Sequence, residues 1–455
     1  MKRLFLNGPM KNILDYFICR IFFMSGTAFV FTGLIFSDIS SFKLKAIPNS
    51  HCSSSSSSFS SPLIQADNPI LFVALKSHLG LENNSNKVSS SFLIKANKKL
   101  VRLVDSKGLA YSDSELIIGW KKVPLSSSHK IERKIIGPFA SFESAESVSN
   151  KLRSMNICPV IANPNHWEIW LPIHVDLPKS FKAQIVEKEI KYKLQPFLQT
   201  ESNQFVLSGP VNISSPEGLI WNGGIYSGPF LLRPNSYGTW TLIEKVHLEN
   251  YLEGVVPYEI GSNAPQAALS AQAVLARTWA LANVHRYSID GYHLCSTTQC
   301  QVYKNPRNIS KAVKNAIRKT SGLVLTFSNR PIKAFYHASN GGIMAGAEEA
   351  WIMNPIPYLT VKFDGPVDKV KADKVTIDSS ILKDFLDDNR NLYGIDHKLF
   401  RWERILTARE VGDYLISSDI ALDLPEEIQV LRRGSSGRAI SLEIRGQNKK
   451  SKIVL

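Results

Sequence analysis

The residues of this sequence whose types and spacing could do chemistry are one carboxylate, one close pair of cysteines and one arginine inside an apolar helix. Glu259 follows an apolar run (Leu252, Val255, Val256, Pro257) and stands in a polar turn just before a long alanine-rich segment. A carboxyl group delivered to such a junction can act as a general acid or base. The competing reading is a surface acid near the positive end of a helix, where anions are stabilised. Cys295 and Cys300, spaced C-x4-C with His293 two residues ahead, could bind one structural zinc ion as three ligands, with His285 or His337 available as a fourth. The same cysteines could instead form a disulfide in an oxidising compartment or stay free thiols. Spacing alone leaves the three open.

Arg277 lies inside the alanine-rich segment and needs partners, because an unpaired buried charge is costly. It is about 18 Å along a helix axis from Pro265, so contact with Glu259 does not follow from the sequence. It either binds substrate or holds the fold together. Asn340, Gly341 and Gly342 form a loop where backbone could approach a ligand closely.

The elements that must position these residues are legible in outline. Asn263 as cap, Pro265 in the first turn and Gln266 in a capping-box position predict a helix start, and the helix runs to about Tyr287. Alanines on nearly every face imply close neighbours all round. Between 180 and 250 the chain alternates apolar and polar side chains with Gly-Pro punctuation, as strands do. After Cys300 come a basic helix (Asn308 to Ser321) and a hairpin turning at Ser328 to Pro331. Helices at Ile381 to Arg390 and Ala408 to Ser417, within about 366–425, read as an insertion packing on the β core.

Upstream, residues 1–36 read as a signal peptide or signal anchor: Lys2, Arg3, Lys11 and Arg20 precede the uncharged run Ile21 to Phe36, an orientation that sends the rest of the chain out of the cytoplasm. Residues 37–97, with Ser53 to Ser58 unbroken, read as a serine-rich flexible linker. Residues 98–178 read as a small α/β accessory domain, with strands at Ile135 to Phe139 and Trp167 to Leu171 flanking a helix at Ser144 to Met155. This half-motif resembles part of a SPOR module, a family that binds peptide-stripped peptidoglycan glycan. The alternative is a generic βαβ unit. Cys158 reads as a small buried hydrophobe, and five cysteines so placed do not read as a disulfide framework. A net charge of +15 predicts attraction to polyanions or an anionic surface. With no zinc-finger spacing, Walker loop or RNP-like strand, nucleic acid is not the expected partner.

The ordered blocks GVVPYEI, AQAVLARTWA, C-x4-CQVY, FYHASNGG, AEEAW and PYLTV resemble the SpoIID/LytB family of stage II sporulation protein D and amidase-enhancer-like proteins, a resemblance that covers roughly residues 215 to 445. The resemblance implies an α+β fold: a SpoIID-like domain over residues 179–455, with a β-rich core around the buried helix. It also implies an exported cell-envelope or periplasmic protein, tethered to the cytoplasmic membrane through its N-terminal segment. Enzymes of the family are lytic transglycosylases that cleave peptidoglycan glycan, preferably stripped of stem peptides, and leave 1,6-anhydro-N-acetylmuramic acid ends. On that pattern Glu259 is the catalytic acid, with Arg277 and Tyr336 functional in the same site. The non-catalytic alternatives are a peptidoglycan-binding enhancer of a cell-wall amidase and an envelope scaffold. Lytic cleavage needs one carboxyl group, whereas hydrolysis usually needs two; Glu348 and Glu349 are the second acids at hand. The chain departs from the family where Gln299 replaces a histidine often found before the second cysteine. It also stops at Lys452-Ile453-Val454-Leu455, where members usually continue in further strand residues.

Overall fold

The computed structural model describes residues 68–81, 88, 91–366, 377, 380–387, 392–417, 424–446 and 450–454. The apolar segment Ile21 to Phe36, most of the serine-rich tract and parts of the 366–425 stretch lie outside the described residues. No helix among the described residues is long and apolar enough to cross a membrane.

The protein is a mixed α+β structure in which strands dominate. Seven strands form one sheet, in the order Leu294–Cys295, Ile70–Leu79, Trp240–His247, Phe230–Pro234, Val211–Ser214, Val101–Val104, Ala110–Asp113. Its pairs are antiparallel except the first, which is parallel. Trp240–His247 is buried at nearly every position, as a strand covered on both faces must be. A second sheet is organised around the long strand Glu115–Phe139, which pairs with Phe92–Ala96, Trp167–Pro172 and Gln184–Gln199.

Two expectations about domain organisation change. Ile70–Leu79 and Phe92–Ala96 fall within the expected linker of residues 37–97, yet both are core strands, with Leu71 and Val73 fully buried. The apolar run ILFVAL carries enough hydrophobic surface to fold, and the adjacent serines hid it. The expected border between residues 178 and 179 is also not a structural one. Strands from either side of it pair with one another in both sheets, and a single apolar cluster contains Val101, Leu116, Leu232, Trp240 and Ala276.

The strand–helix–strand motif is present. Helix α1 (Phe142–Arg153) starts at Ser141, whose Oγ accepts from the Ser144 N–H at 3.2 Å, an ordinary N-cap. Its Phe142, Ala145 and Leu152 share a cluster with Trp167, Ile169 and, from the seven-stranded sheet, Ala74 and Ile243. The motif is therefore a layer on that sheet. Cys158 is half-buried and disulfide-bonded, which corrects its reading as a simple hydrophobe.

Four helices follow the last long strand: α2 (Leu248–Glu253), α3 (Val256–Ile260), α4 (Gln266–Ala282) and α5 (Lys311–Lys319). Pro265 takes the cap position of α4 without a side-chain bond, so Asn263 does not cap it. The helix ends at Ala282, earlier than expected, where the Asn283 side-chain amide donates to Trp279 O at 2.8 Å. Ala267, Ala268 and Ala271 are exposed, whereas Ala273, Ala276 and Ala280 are fully buried. Only the second half of the helix is enclosed. Helix α5 buries Val313, Ala316 and Ile317 and turns its lysines outward, the amphipathic pattern expected of it.

The C-terminal part holds a three-stranded sheet (Glu427–Arg433, Ala439–Arg445, Lys450–Val454) with its own apolar cluster of Val411, Leu415, Ile444 and Ile453. That arrangement differs from a helical insertion packed on the main β core.

Candidate active site

Glu259 is carried by α3, a single five-residue turn whose first residues, Val255 and Val256, are anchored in the core. The anchoring leaves Glu259 half-buried, and Gly261, with φ of 85°, then turns the chain away. Glu259 Oε1 accepts a hydrogen bond from the Val302 N–H at 2.7 Å. The Tyr336 hydroxyl donates to the same carboxylate. Burial pushes the Glu259 pKa above the ordinary carboxylate value, and the two donors pull it back only in part.

The segment that supplies Val302 is pinned from both ends. The Lys304 N–H donates to Gly254 O at 2.9 Å. Gly254 has to be glycine, because a Cβ there would stand 2.5 Å from the Tyr303 ring. The Tyr303 hydroxyl donates to Glu244 Oε2 at 2.8 Å, and the Gly228 N–H donates to Glu244 Oε1 at 2.9 Å. Burial pushes this fully enclosed carboxyl up to about 7.

Tyr336 comes from the segment after the hairpin, whose turn at Ser328 and Asn329 has two positive φ values, the geometry of a tight two-residue connection. Its oxygen accepts from Gln301 Nε2 at 2.9 Å. Glu259 and Tyr336, separated by 77 positions in the chain numbering, are therefore neighbours. Gln301 was missed as a site residue, although it lies in the CQVY block; as an uncharged amide next to a cysteine it carried no chemical signal of its own.

Arg277 is placed elsewhere. It is 1 % exposed and forms a two-pronged ion pair with Glu249 of α2, Nε to Oε1 and Nη2 to Oε2 both at 2.7 Å. Its Nη1 donates to Leu323 O at 3.1 Å. With all three nitrogens committed to its own chain, Arg277 clamps α4 to α2 and to the hairpin entrance. Of the two roles the sequence allowed, these contacts are those of a residue that holds the fold together.

The structure pairs Cys295 with Cys300 as a disulfide. Sulfurs bonded to each other are not thiolate ligands, and His293 Nδ1 accepts from the Phe72 N–H at 3.0 Å. His285 bonds Glu146 at 2.6 Å. No group of three His, Cys, Asp or Glu among the described residues is placed to hold a metal. The residues expected to bind zinc do not fit that role in this pairing. Gln299, where the family often has histidine, accepts from Trp167 Nε1 at 3.3 Å and so ties the loop to the second sheet.

The Asn340-Gly341-Gly342 loop is turned inward. Asn340 Nδ2 donates to Asp364 Oδ2 at 2.8 Å, Arg438 donates to Asn340 O at 2.8 Å, and Arg401 donates to Gly341 O. A Cβ on Gly342 would stand 2.4 Å from Leu392. These glycines allow packing against the C-terminal part, which accounts for them without a ligand. Glu349, a candidate second acid, is occupied by Ser436, whose N–H donates to it at 3.1 Å.

A sequence model described as Stage II sporulation protein (SpoIID) matches residues 236–327, which contain α2 to α5, Glu259, the disulfide and the first strand of the hairpin. This segment of the chain is similar to the SpoIID/LytB family. Residues 345–455 match a different model, described as a domain of unknown function (DUF8618). The SpoIID match is thus narrower than the expected 179–455, and Tyr336 lies just beyond its end. Over 150 residues the chain is 32 % identical to stage II sporulation protein D of Bacillus subtilis strain 168, covering 29 % of this chain and 43 % of that one. The stage II sporulation protein D of Bacillus amyloliquefaciens is 33 % identical over 132 residues, 26 % of this chain and 38 % of its own. An amidase enhancer of Bacillus subtilis strain 168 is 35 % identical over 113 residues, 25 % of this chain and 15 % of its own. The chain spans less than half the length of each of these relatives.

Proposed function

We propose that this protein cleaves peptidoglycan glycan strands as a lytic transglycosylase, with Glu259 as the single acid and base. The observation that carries the reading is the environment of that carboxyl group. It is half-buried, raised in pKa by that burial, and met by two donors, the Val302 N–H and the Tyr336 hydroxyl, with no second carboxylate among the groups that act on it.

Such a group suits a reaction in which one residue first gives and then takes a proton. Protonated, Glu259 gives its proton to the glycosidic oxygen as the bond to C1 breaks. The carboxylate left behind is stabilised by the two donors. It then removes the proton from the C6 hydroxyl of the muramic acid residue, whose oxygen closes on C1 to form the 1,6-anhydro ring. No water enters and no second acid is needed, in contrast to hydrolysis. The substrate class rests on that family likeness and on the relatives' names. The net charge of +15 suits an anionic wall. An exported location, a membrane tether through residues 1–36 and peptide-stripped strands as preferred substrate belong to the same proposal.

The test is incubation of purified protein with denuded glycan strands and mass spectrometry of the products. Wild type should release 1,6-anhydro ends, and Glu259→Gln should lower the yield by at least about 100-fold, the usual contribution of a positioned acid–base group. Equal product from the variant would remove Glu259 from the mechanism. Binding without cleavage by wild type would favour the second reading, an enhancer of a cell-wall amidase, which the named amidase-enhancer relative supports.

A further inference from the structure

Gln301 is 1 % exposed and lies between two tyrosine hydroxyls. On one side Tyr251, fully buried, donates to Gln301 Oε1 at 3.2 Å. On the other, Gln301 Nε2 donates to the Tyr336 oxygen at 2.9 Å. The two ends of an amide are not interchangeable: the oxygen only accepts and the nitrogen only donates. With Oε1 turned to Tyr251, the nitrogen necessarily faces Tyr336. A second buried amide, Gln272 of α4, lies close enough to act on the same hydroxyl, and its Nε2 is buried without a hydrogen-bond partner. A tyrosine hydroxyl has one proton, and the Gln301 amide donor on its oxygen leaves that proton to point at Glu259. Tyr251 is itself held in place by its ring, which packs on Tyr303 at 4.9 Å between centroids.

We infer that Gln301 is a positioning residue that sets the direction of the Tyr336 hydroxyl, so that Tyr336 donates to Glu259 and does not accept from it. This inference uses the assignment of Glu259 as acid only for its catalytic consequence; the order of the hydrogen bonds stands apart from it. The titratable groups facing Glu259 are Tyr336 and, behind it, Tyr251. Reversing the amide would let Tyr336 donate to Gln301 instead, and Glu259 would lose one of the two donors that stabilise its charged form.

The experiment is a direct titration of Glu259 in protein labelled with carboxyl-carbon-13 glutamate, its resonance assigned by loss in Glu259→Gln. In Gln301→Leu the midpoint should rise by about 1 to 2 on the pH scale, the worth of one hydrogen bond to a charged carboxylate. Gln301→Glu, which offers acceptors to both tyrosines, should raise it at least as far. Tyr336→Phe should raise it similarly, and adding Gln301→Leu to Tyr336→Phe should bring no further change, because the effect passes through the hydroxyl. Where Gln301→Leu does not fold, Tyr251→Phe decides: it keeps the ring packing, releases the amide, and should raise the midpoint in part. An unchanged midpoint in a folded Gln301 variant and in Tyr251→Phe overturns the inference, as does an equal rise with and without the Tyr336 hydroxyl. A protein that makes no 1,6-anhydro ends would overturn the proposed reaction while leaving this titration readable.

Discussion

Two buried charges show how much a single side chain decides here. Arg277 and Glu249 form a nearly enclosed pair, and removing one partner leaves the other charge uncompensated. Arg277→Ala should therefore cost about 3–5 kcal/mol of stability, read as a lowered urea midpoint, where a purely catalytic arginine would leave the midpoint unchanged. Glu244 makes a prediction about pH. Its carboxyl is raised to about 7 in the folded protein, against an ordinary value of 4.5. The folded state thus holds that proton more tightly than the unfolded chain. The resulting stability is complete below pH 4.5 and is lost as pH rises through 7. Glu244→Gln lacks this loss, so its stability relative to wild type should improve by about 3 kcal/mol between pH 4.5 and 7.5. His78 and His293, both lowered to about 4 by burial, slope the other way and cancel in that comparison. A constant difference across the range would show that Glu244 is not raised.

Among the elements, the segment 301–303 does the most for the site. Three consecutive residues each reach a different partner: Gln301 to Tyr336, the Val302 N–H to Glu259 and Tyr303 to Glu244. The Cys295–Cys300 disulfide closes the loop immediately before it. In the loop-entropy description a ring this small is worth about 2 kcal/mol, and replacing both cysteines by serine should lower stability by that amount. Trypsin should release residues 287–304 as one peptide, and in the unreduced protein that peptide should be two hydrogens lighter than after reduction. Zinc in protein prepared without chelator, together with free thiols at both positions, would refute the disulfide. The clamp between α2 and α4 through Arg277 and the close approach of Gly254 to Tyr303 hold this segment against α3, so the acid and its donors come from separate elements packed at short range.

At the scale of the whole molecule, the part upstream of residue 179 is not a detachable module. Ile70–Leu79 lies between Leu294–Cys295 and Trp240–His247 in the sheet that leads into α2. Two ion pairs, Glu143 with Arg286 and Glu146 with Lys333, and two hydrogen bonds, Glu146 with His285 and Trp167 with Gln299, repeat the connection. A fragment of residues 179–455 would leave Trp240–His247 with an unpaired edge and an uncovered apolar face. It should be insoluble or lack a cooperative thermal transition, whereas a fragment beginning at residue 68 should melt cooperatively. A well-folded 179–455 fragment would restore the modular picture.

The sequence by itself determined the likeness to SpoIID and singled out Glu259 as the candidate acid, because both depend on local pattern: ordered blocks such as GVVPYEI and AQAVLARTWA, and a carboxylate between an apolar run and a helix. Helix α4, the hairpin turn at Ser328 and Asn329, and the outward lysines of α5 were legible for the same reason. The tertiary structure alone decided that Arg277 belongs to Glu249, that the glycines of the Asn340 loop serve packing, that Ile70–Leu79 is a core strand, and that Gln301 sits beside Tyr336. Each of these is a pairing across a long stretch of chain, and the separation along the sequence carries no trace of the partner. A buried arginine announces that it needs a carboxylate, but which one it meets is set by how the helices pack.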